Sequence, residues 1–529
     1  MIMKYIFLFV LLISTGCKSF AVNNYKGLVI RSAMPIDNKT YENWNGEIHF
    51  SPNAIFLPST LQDLINIVKL AKTNDKTIRC AAQGHTISTL SVTENYLVVV
   101  TNLTKVTIQN DPKYGWTATA EAGVSLTDFE TALRNHDPPL TINSATVYNT
   151  LRASGVIATG SHGPITNSSI MPDQLCSMKI VTASGEVREF SKEISESEFN
   201  VAKLNLGLLG IIYSATFCVQ PMYNLRMNDT FYSINEWLNP KNLKELLDSS
   251  DGVEFFYWPF NGFNQSDPKP LDPNRDQIWV KTFVRTDDPA SFTQQQLEQS
   301  LPNQTQEAIQ QYELRRTLIP NPEKTPNVTA TLWNGLTSFG NTSFVYQVPD
   351  AMHYVVSEES IKLELMEIAF KADPDLSNVV AEYLFIMKTL YDFAGEGKFP
   401  LNIFVDFRII KSTKTLLSNT FDKDPEALYC HIDFVTILDT PSWQEFAQLI
   451  AQRAFDQYKA KPHCAKEWEF IPNVDSYLAN AFSDQIKQFE QIRAKYDPDK
   501  IFFDNKSLQD IFNIALGSQN GEDSNKKKV

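Results

Sequence analysis

Three glycine-rich segments are the first features of this 529-residue chain whose composition could do chemistry. Ala82-Gln83-Gly84-His85-Thr86 follows directly on an apolar run, Thr77 to Ala82, that reads as a strand. A glycine just past a strand lets backbone N–H groups turn toward a bound anion such as a pyrophosphate. The same turn carries an imidazole, His85. The second segment, Ser154-Gly155-Val156-Ile157-Ala158-Thr159-Gly160-Ser161-His162-Gly163, sets three glycines among small and hydroxyl side chains. Such a backbone can be approached closely by another group. The third, Gly207-Leu208-Leu209-Gly210-Ile211-Ile212, runs into a strand. Taken singly, each also reads as a tight turn packed on a sheet. The cysteines and histidines show no metal-ligand spacing, so no metal is expected.

The elements that must position these segments are legible by periodicity. Leu61, Leu64, Ile65, Val68 and Ala71 mark one face of a helix, opened by Ser59-Thr60 with Asp63 in its first turn. Tyr96 to Thr101, Trp116 to Glu121, Cys176 to Thr182 and Gly210 to Val219 read as strands, and Ser125 to Leu133 as a short helix. Past Pro221 the character changes to polar loops alternating with strands and helices, loosest at Asn261 to Asp276 and Ile319 to Thr329. Leu401 to Ile410 and Leu428 to Leu438 are apolar strands, and Trp443 to Tyr458 is an amphipathic helix. One last helix is expected from Val474 to Lys495, before the stop signal Asp497-Pro498.

A net charge of −14 and a pI near 5.1 argue against nucleic acid as a partner. Hydrophobic residues at 43% leave ample material for a core. At the N-terminus, Lys4 precedes an apolar run from Tyr5 to Ile13 that is too short to span a bilayer. Small residues follow, and residues 1–21 read as a secretory signal peptide cut after Ala21. Cys17 makes a weaker bacterial-lipoprotein site. Nine Asn-x-Ser/Thr sequons, Asn38, Asn102, Asn167, Asn228, Asn264, Asn303, Asn327, Asn341 and Asn505, favour a secreted glycoprotein without stable membrane insertion. The six cysteines are scattered, so at most two disulfides are expected beside plain core thiols. The polar end of the chain, residues 516–529, is expected to be disordered.

In this order and spacing, the three segments resemble the flavin-binding half of the vanillyl-alcohol oxidase family. The match is to its sugar-lactone and polyol oxidase branch, which includes the L-gulonolactone, arabinonolactone and alditol oxidases. Trp44-Asn45-Gly46 and Pro58-Ser59-Thr60 stand where that family has its opening signature, and Ala158-Thr159-Gly160-Ser161-His162-Gly163 matches its Ala-Thr-Gly-Thr-His-Gly loop. Leu206-Gly207-Leu208-Leu209-Gly210-Ile211-Ile212 matches its Leu-Gly-x-Leu-Gly-x-Ile run. Asp406-Phe407-Arg408 takes the place of a Glu-x-Arg on a strand over the flavin, and His431 that of an active-site histidine. Pro462-His463-Cys464-Ala465-Lys466 takes the place of Pro-His-Trp-x-Lys.

The resemblance implies an α+β, two-domain flavoenzyme. An FAD-binding PCMH-type domain would span residues 25–225, an antiparallel-sheet cap 226–460, and residues 461–515 would return to the FAD domain. FAD would be held by Ala82 to Thr86, by Gly155, Val156 and Thr159 to Gly163, and by Gly210 to Ile212, with a covalent bond through His85. The implied reaction oxidises an alcohol carbon of a sugar lactone or polyol, with O2 as acceptor. His431 with Lys466 would take or polarise the hydroxyl proton, Arg408 would stabilise developing charge, and Asp406 would bind a substrate hydroxyl. A dehydrogenase using another acceptor, oxidation of another alcohol such as an oligosaccharide, and a non-catalytic carbohydrate binder stay open.

Overall fold

A computed structural model describes residues 40–299, 312–353 and 362–517. The signal segment, Cys17, Asn38, Asn303 and the end of the chain past Gly517 lie outside them. The N-terminal half is built on two sheets. Ala54–Phe56, Tyr96–Val99 and Ile78–Ala81 form a three-stranded parallel sheet with Tyr96–Val99 in the middle. The helix Leu61–Thr73 makes the crossover from Ala54–Phe56 to Ile78–Ala81, and a reciprocal capping box between Thr60 and Asp63 fixes its start. A five-stranded antiparallel sheet follows, in the order Val187–Ser191, Leu175–Val181, Ile211–Cys218, Gly115–Glu121 and Val106–Asp111. Cys176 and Cys218, on two of its neighbouring strands, form a disulfide. Cys80, Cys430 and Cys464 are free thiols.

The rest of the chain folds on one eight-stranded antiparallel sheet. Its order is Thr342–Gln347, Asn224–Ser233, Gln277–Thr286, Gly252–Tyr257, Phe404–Lys411, Leu428–Ile437, Leu363–Lys371 and Lys461–Pro462. Alternation splits each central strand between two environments. On Phe404–Lys411, Val405, Phe407 and Ile409 face the flanking helices. Phe407 stacks on Phe255 at 4.3 Å and meets Tyr383 of the helix Ser377–Gly395 at 5.0 Å. Phe404, Asp406 and Arg408 face the other way, toward the N-terminal half.

Several expectations need correcting. The segment 154–163 is not one turn: Ala153–Thr159 is a helix, and only the residues after it form a loop. The last long helix is two, Val474–Ala481 and Ser483–Tyr496, broken at Phe482, whose backbone (φ −110°, ψ 14°) leaves the helical region. Within Ile319 to Thr329, a helix starts at Thr325. The stretch Asn261 to Asp276 has little regular structure, yet it is pinned. Tyr257 and Tyr391 both donate to Asp276 Oδ2, at 2.6 and 2.8 Å, and Gly262 N donates to Asp276 Oδ1 at 2.8 Å. Among the described residues, no helix is long and apolar enough to cross a membrane.

Candidate active site

The three glycine-bearing segments and the inner face of the eight-stranded sheet line one cleft of about 1640 Å³, counted to its open mouth. Its two walls differ in charge. On the N-terminal side the lining includes Arg79 and Arg152 and no carboxylate; on the sheet side it includes Glu367, Asp406 and Asp433 with Arg408 and Lys466.

On the first wall, Ala82, Gln83, Gly84, His85 and Thr86 all line the cleft. The Trp44 region holds this loop from outside. Trp44 N donates to Gly84 O at 3.0 Å, Trp44 Nε1 to His85 O at 3.1 Å, and Asn43 Nδ2 to Thr86 O at 3.0 Å. The His85 ring stacks on the indole of Trp44, 5.1 Å and 18° apart, and lies 6.0 Å from Tyr148. Gly155, Val156, Thr159, Ser161, His162, Gly210, Ile211 and Ile212 also line the cleft. Gly160 and Gly163 do not; both serve packing. Gly160 caps its helix in the left-handed region (φ 74°), where a Cβ would stand 2.5 Å from Leu204 Cδ1. A Cβ on Gly163 would stand 2.3 Å from Ala145 O.

Arg79 ties this wall together. Its guanidinium is buried and donates to Leu90 O at 2.8 and 2.6 Å, to Leu206 O at 2.8 Å and to Phe502 O at 3.0 Å. The first strand-loop unit, the Leu206 loop and the returning C-terminal segment thus share one cation.

On the second wall, Arg408 Nε lies 3.0 Å from Glu254 Oε1, and Arg408 Nη2 donates to Asp406 Oδ2. Glu254 also lies 3.3 Å from Lys281, and both side chains are buried. Lys466 Nζ lies 3.6 Å from Asp433 Oδ2. His431 is placed differently from expectation. It is 2% exposed and is not among the lining residues. Its Nδ1 donates to Glu367 Oε1 at 2.7 Å, and His162 Nε2 donates to the same oxygen at 3.0 Å. His463 N donates to Glu367 O at 2.9 Å. Burial, first of all, pushes His162 down to about 3, which keeps its ring neutral, and burial also lowers His463. Glu367 is held well below the usual carboxylate range: burial opposes ionisation, but His463 and His162 outweigh it. One ionised carboxylate therefore orients a pair of imidazoles, and the outward nitrogens, His162 Nδ1 and His431 Nε2, have no hydrogen-bond partner among the described residues. These three side chains could hold a metal ion by proximity, but the two N–H donations already account for the geometry.

Glu254, Glu367 and Asp433 were not among the expected site residues. Their signal is a carboxylate inside an apolar strand run, the single acid of Gly252–Tyr257 and of Leu428–Ile437 and one of the two acids of Leu363–Lys371. Cys464, in place of the family's tryptophan, donates through Sγ to Thr159 O at 3.3 Å. The indole of Trp468 reaches back to Cys464 O at 3.1 Å.

The lining fits FAD. Backbone turns and the hydroxyls of Thr86, Ser91, Ser154, Thr159 and Ser161 alternate with aliphatic and aromatic surface beside Arg152, a donor set suited to phosphates and a flat ring.

A family profile described as "FAD binding domain" matches residues 52–191, and one described as "D-arabinono-1,4-lactone oxidase" matches residues 215–510. L-gulonolactone oxidase of Scyliorhinus torazame is 28% identical over 219 residues, 41% of this chain and 48% of that protein. The chain thus spans about half the length of that relative. L-gulono-1,4-lactone dehydrogenase of Mycobacterium tuberculosis is 21% identical over 482 residues, 90% of this chain and 99% of that protein. Among solved structures, cholesterol oxidase from B. sterolicum shares the fold, with a TM-score of 0.70 at 16% identity, over 89% of this chain and 96% of that one. With the second profile covering more than half of its length, the chain belongs to the D-arabinono-1,4-lactone oxidase family, in the sugar-lactone branch of the FAD-binding flavoproteins.

Proposed function

We propose that the protein is an FAD-dependent oxidoreductase that oxidises an alcohol carbon of an aldonolactone or polyol, with O2 as acceptor and hydrogen peroxide as product. The observation that carries this reading is the shared cleft: the cofactor loops form one wall, and Asp406, Arg408 and Lys466 stand on the other. When bound, FAD supplies a hydride acceptor. The segments Ala82–Thr86, Gly155–Ser161 and Gly210–Ile212 would hold it, and His85 would attach it covalently. Arg408, fixed between Glu254 and Asp406, presents a cation that cannot lose its proton, suited to an oxygen that gains negative charge. Lys466 stands across the strand pair as a second cation. Asp406 offers a carboxylate to a substrate hydroxyl.

The test is an oxygen-electrode and stopped-flow panel of aldonolactones and polyols on purified holoenzyme. Oxygen uptake with peroxide release supports the oxidase. Flavin reduction by substrate, reoxidised by a dye but not by O2, would favour a dehydrogenase, the reading suggested by the relative that spans nearly the whole chain. A protein without flavin absorbance would leave only carbohydrate binding. We also propose an extracytoplasmic location, with residues 1–21 removed. Among the described sequons, Asn102, Asn167, Asn264, Asn327 and Asn341 are exposed, whereas Asn505 is buried as a helix cap and cannot carry a glycan. N-terminal sequencing and a glycosidase gel shift check both points.

A further inference from the structure

On the sheet wall of the cleft, two carboxylates oppose each other. Asp406 and Asp433 are register partners on neighbouring antiparallel strands, and both line the cleft. Directly opposed side chains on one face of such a pair have Cβ atoms about 4.5–5.5 Å apart. Their surroundings differ. Asp406 is 2% exposed, its Oδ2 accepts from Arg408, and its Oδ1, like that of Asp433, has no hydrogen-bond partner among the described residues. The Asp433 side chain is 21% exposed, its Oδ2 faces Lys466 at 3.6 Å, and its Oδ1 has no hydrogen-bond partner among the described residues. His431, two residues earlier on the same face, has its Nδ1 engaged by Glu367 and stays behind the wall.

We propose that Asp433 is the residue that accepts the hydroxyl proton of the substrate, a catalytic role that rests on the alcohol-oxidation reading above. As the substrate O–H bond breaks, its proton passes to an Asp433 carboxylate oxygen. The C–H bond breaks with its electron pair, and that hydrogen leaves as hydride to the oxidised flavin. The electron pair left on oxygen becomes the second C–O bond, so the carbinol becomes a carbonyl. The substrate loses two electrons and two hydrogens: bound FAD would be the two-electron acceptor of the hydride, and Asp433 later returns its proton to solvent.

The charges around the pair divide the labour. Asp433 faces Lys466 from the C-terminal loop, Glu367 from the Leu363–Lys371 strand, Asp406 and Arg408 from the other neighbouring strand, and His431 on its own. His162 and His463 act on Glu367. Burial, first of all, pushes Asp406 up to about 7, with Arg408 opposing the rise and Glu254 and Asp433 adding to it. Burial pushes Asp433 up to about 6, with Lys466 opposing it. Both carboxyls are thus raised by burial and opposed by a cation, Arg408 at Asp406 and Lys466 at Asp433, and the apparent constants belong to the pair.

The experiment is stopped-flow flavin reduction of wild type, Asp433→Asn and Asp433→Glu holoenzyme across about pH 5 to 9, with the lactone or polyol that wild type oxidises fastest. The wild-type rate should rise with pH through about 6 and then level. Asp433→Asn should be at least about 100-fold slower at the plateau and lose that acid limb. Its flavin spectrum and its affinity for the product, read from the spectral perturbation on binding, should match wild type. Asp433→Glu should recover part of the rate and the limb. An Asn variant as fast as wild type, or one that keeps the limb, overturns the assignment. So does a variant whose whole defect is lost product binding. Wild type inert with every alcohol tested overturns the alcohol-oxidation reading and this role with it, whereas active wild type beside an unimpaired variant overturns this role alone.

Discussion

Arg408 and Lys466 both present cations to the cleft, but they are not equivalent probes. Arg408 pairs with Glu254 and Asp406, which are both nearly fully buried. Removing it leaves the buried Asp406 without its cation and Glu254 with Lys281 alone, a loss of about 3–5 kcal/mol for a broken buried pair. Arg408→Ala is therefore expected to lower the melting temperature as well as the rate, and calorimetry will read the first effect. Lys466 is more exposed and has one long ion pair. Lys466→Met should keep its flavin and fold while flavin reduction slows by about 2.7–4 kcal/mol, on the order of a hundredfold. Reduction at the wild-type rate would place the reacting oxygen away from Lys466. At the facing wall, His85→Ala should leave the flavin extractable by acid, whereas wild type should keep yellow in-gel fluorescence on the polypeptide. Asp406 and Arg408 could be placed on one strand face from their spacing alone. Glu254 could not, because its approach to Arg408 depends on a strand pairing across about 150 residues of chain.

Secondary structure was legible wherever the local pattern matched its surroundings. The helix Trp443–Tyr458 has its expected bounds, and the helix beginning at Leu61 carries the capping signal seen in its residues. The failures have local causes. Apolar spacing runs through Phe482, so one helix was expected where there are two; the break is made by tertiary contacts, with Phe482 buried and Lys461 4.8 Å above its ring. Around Gly155, glycine content masked a short helix whose stability comes from packing, not propensity. The loop-to-loop ties were invisible because they join distant residues through backbone carbonyls. Arg79 is the test of that layer. Arg79→Met fills similar space but leaves the carbonyls of Leu90, Leu206 and Phe502 without this donor. Unsatisfied buried groups cost about 1–3 kcal/mol each, so the variant should melt lower and bind flavin weakly or not at all. Unchanged melting and full flavin content would mean the loops hold their positions without it.

The two halves of the molecule meet along a second acidic seam, away from the cleft. Glu47 from the N-terminal segment, Glu364 from the sheet, Asp439 and Glu467 influence one another there. Asn45 bridges the halves, donating to Leu363 O at 3.0 Å. Glu364 is 8% exposed, and its Oε2 has no hydrogen-bond partner among the described residues. Burial, then Glu467 and Glu47, push Glu364 up to about 8; burial pushes Glu467 up to about 7. An acid whose folded pKa is raised keeps its proton while the unfolded chain loses it. Stability is thus lost progressively as pH rises from the ordinary carboxylate value toward 8. His162 and His463, both lowered by burial, and the ionised Glu367 act oppositely: each costs stability as the medium turns acid. The fold is therefore squeezed from both sides of a mildly acidic optimum. Glu364→Gln isolates the alkaline side, because glutamine keeps the shape and cannot ionise. Relative to wild type it should change little near pH 5 and stabilise increasingly toward pH 8, by an amount on the order of 3 kcal/mol. Denaturant melts at both pH values check this. An equal effect at the two would mean that Glu364 does not keep its proton in the fold, and that the seam tolerates a buried charge.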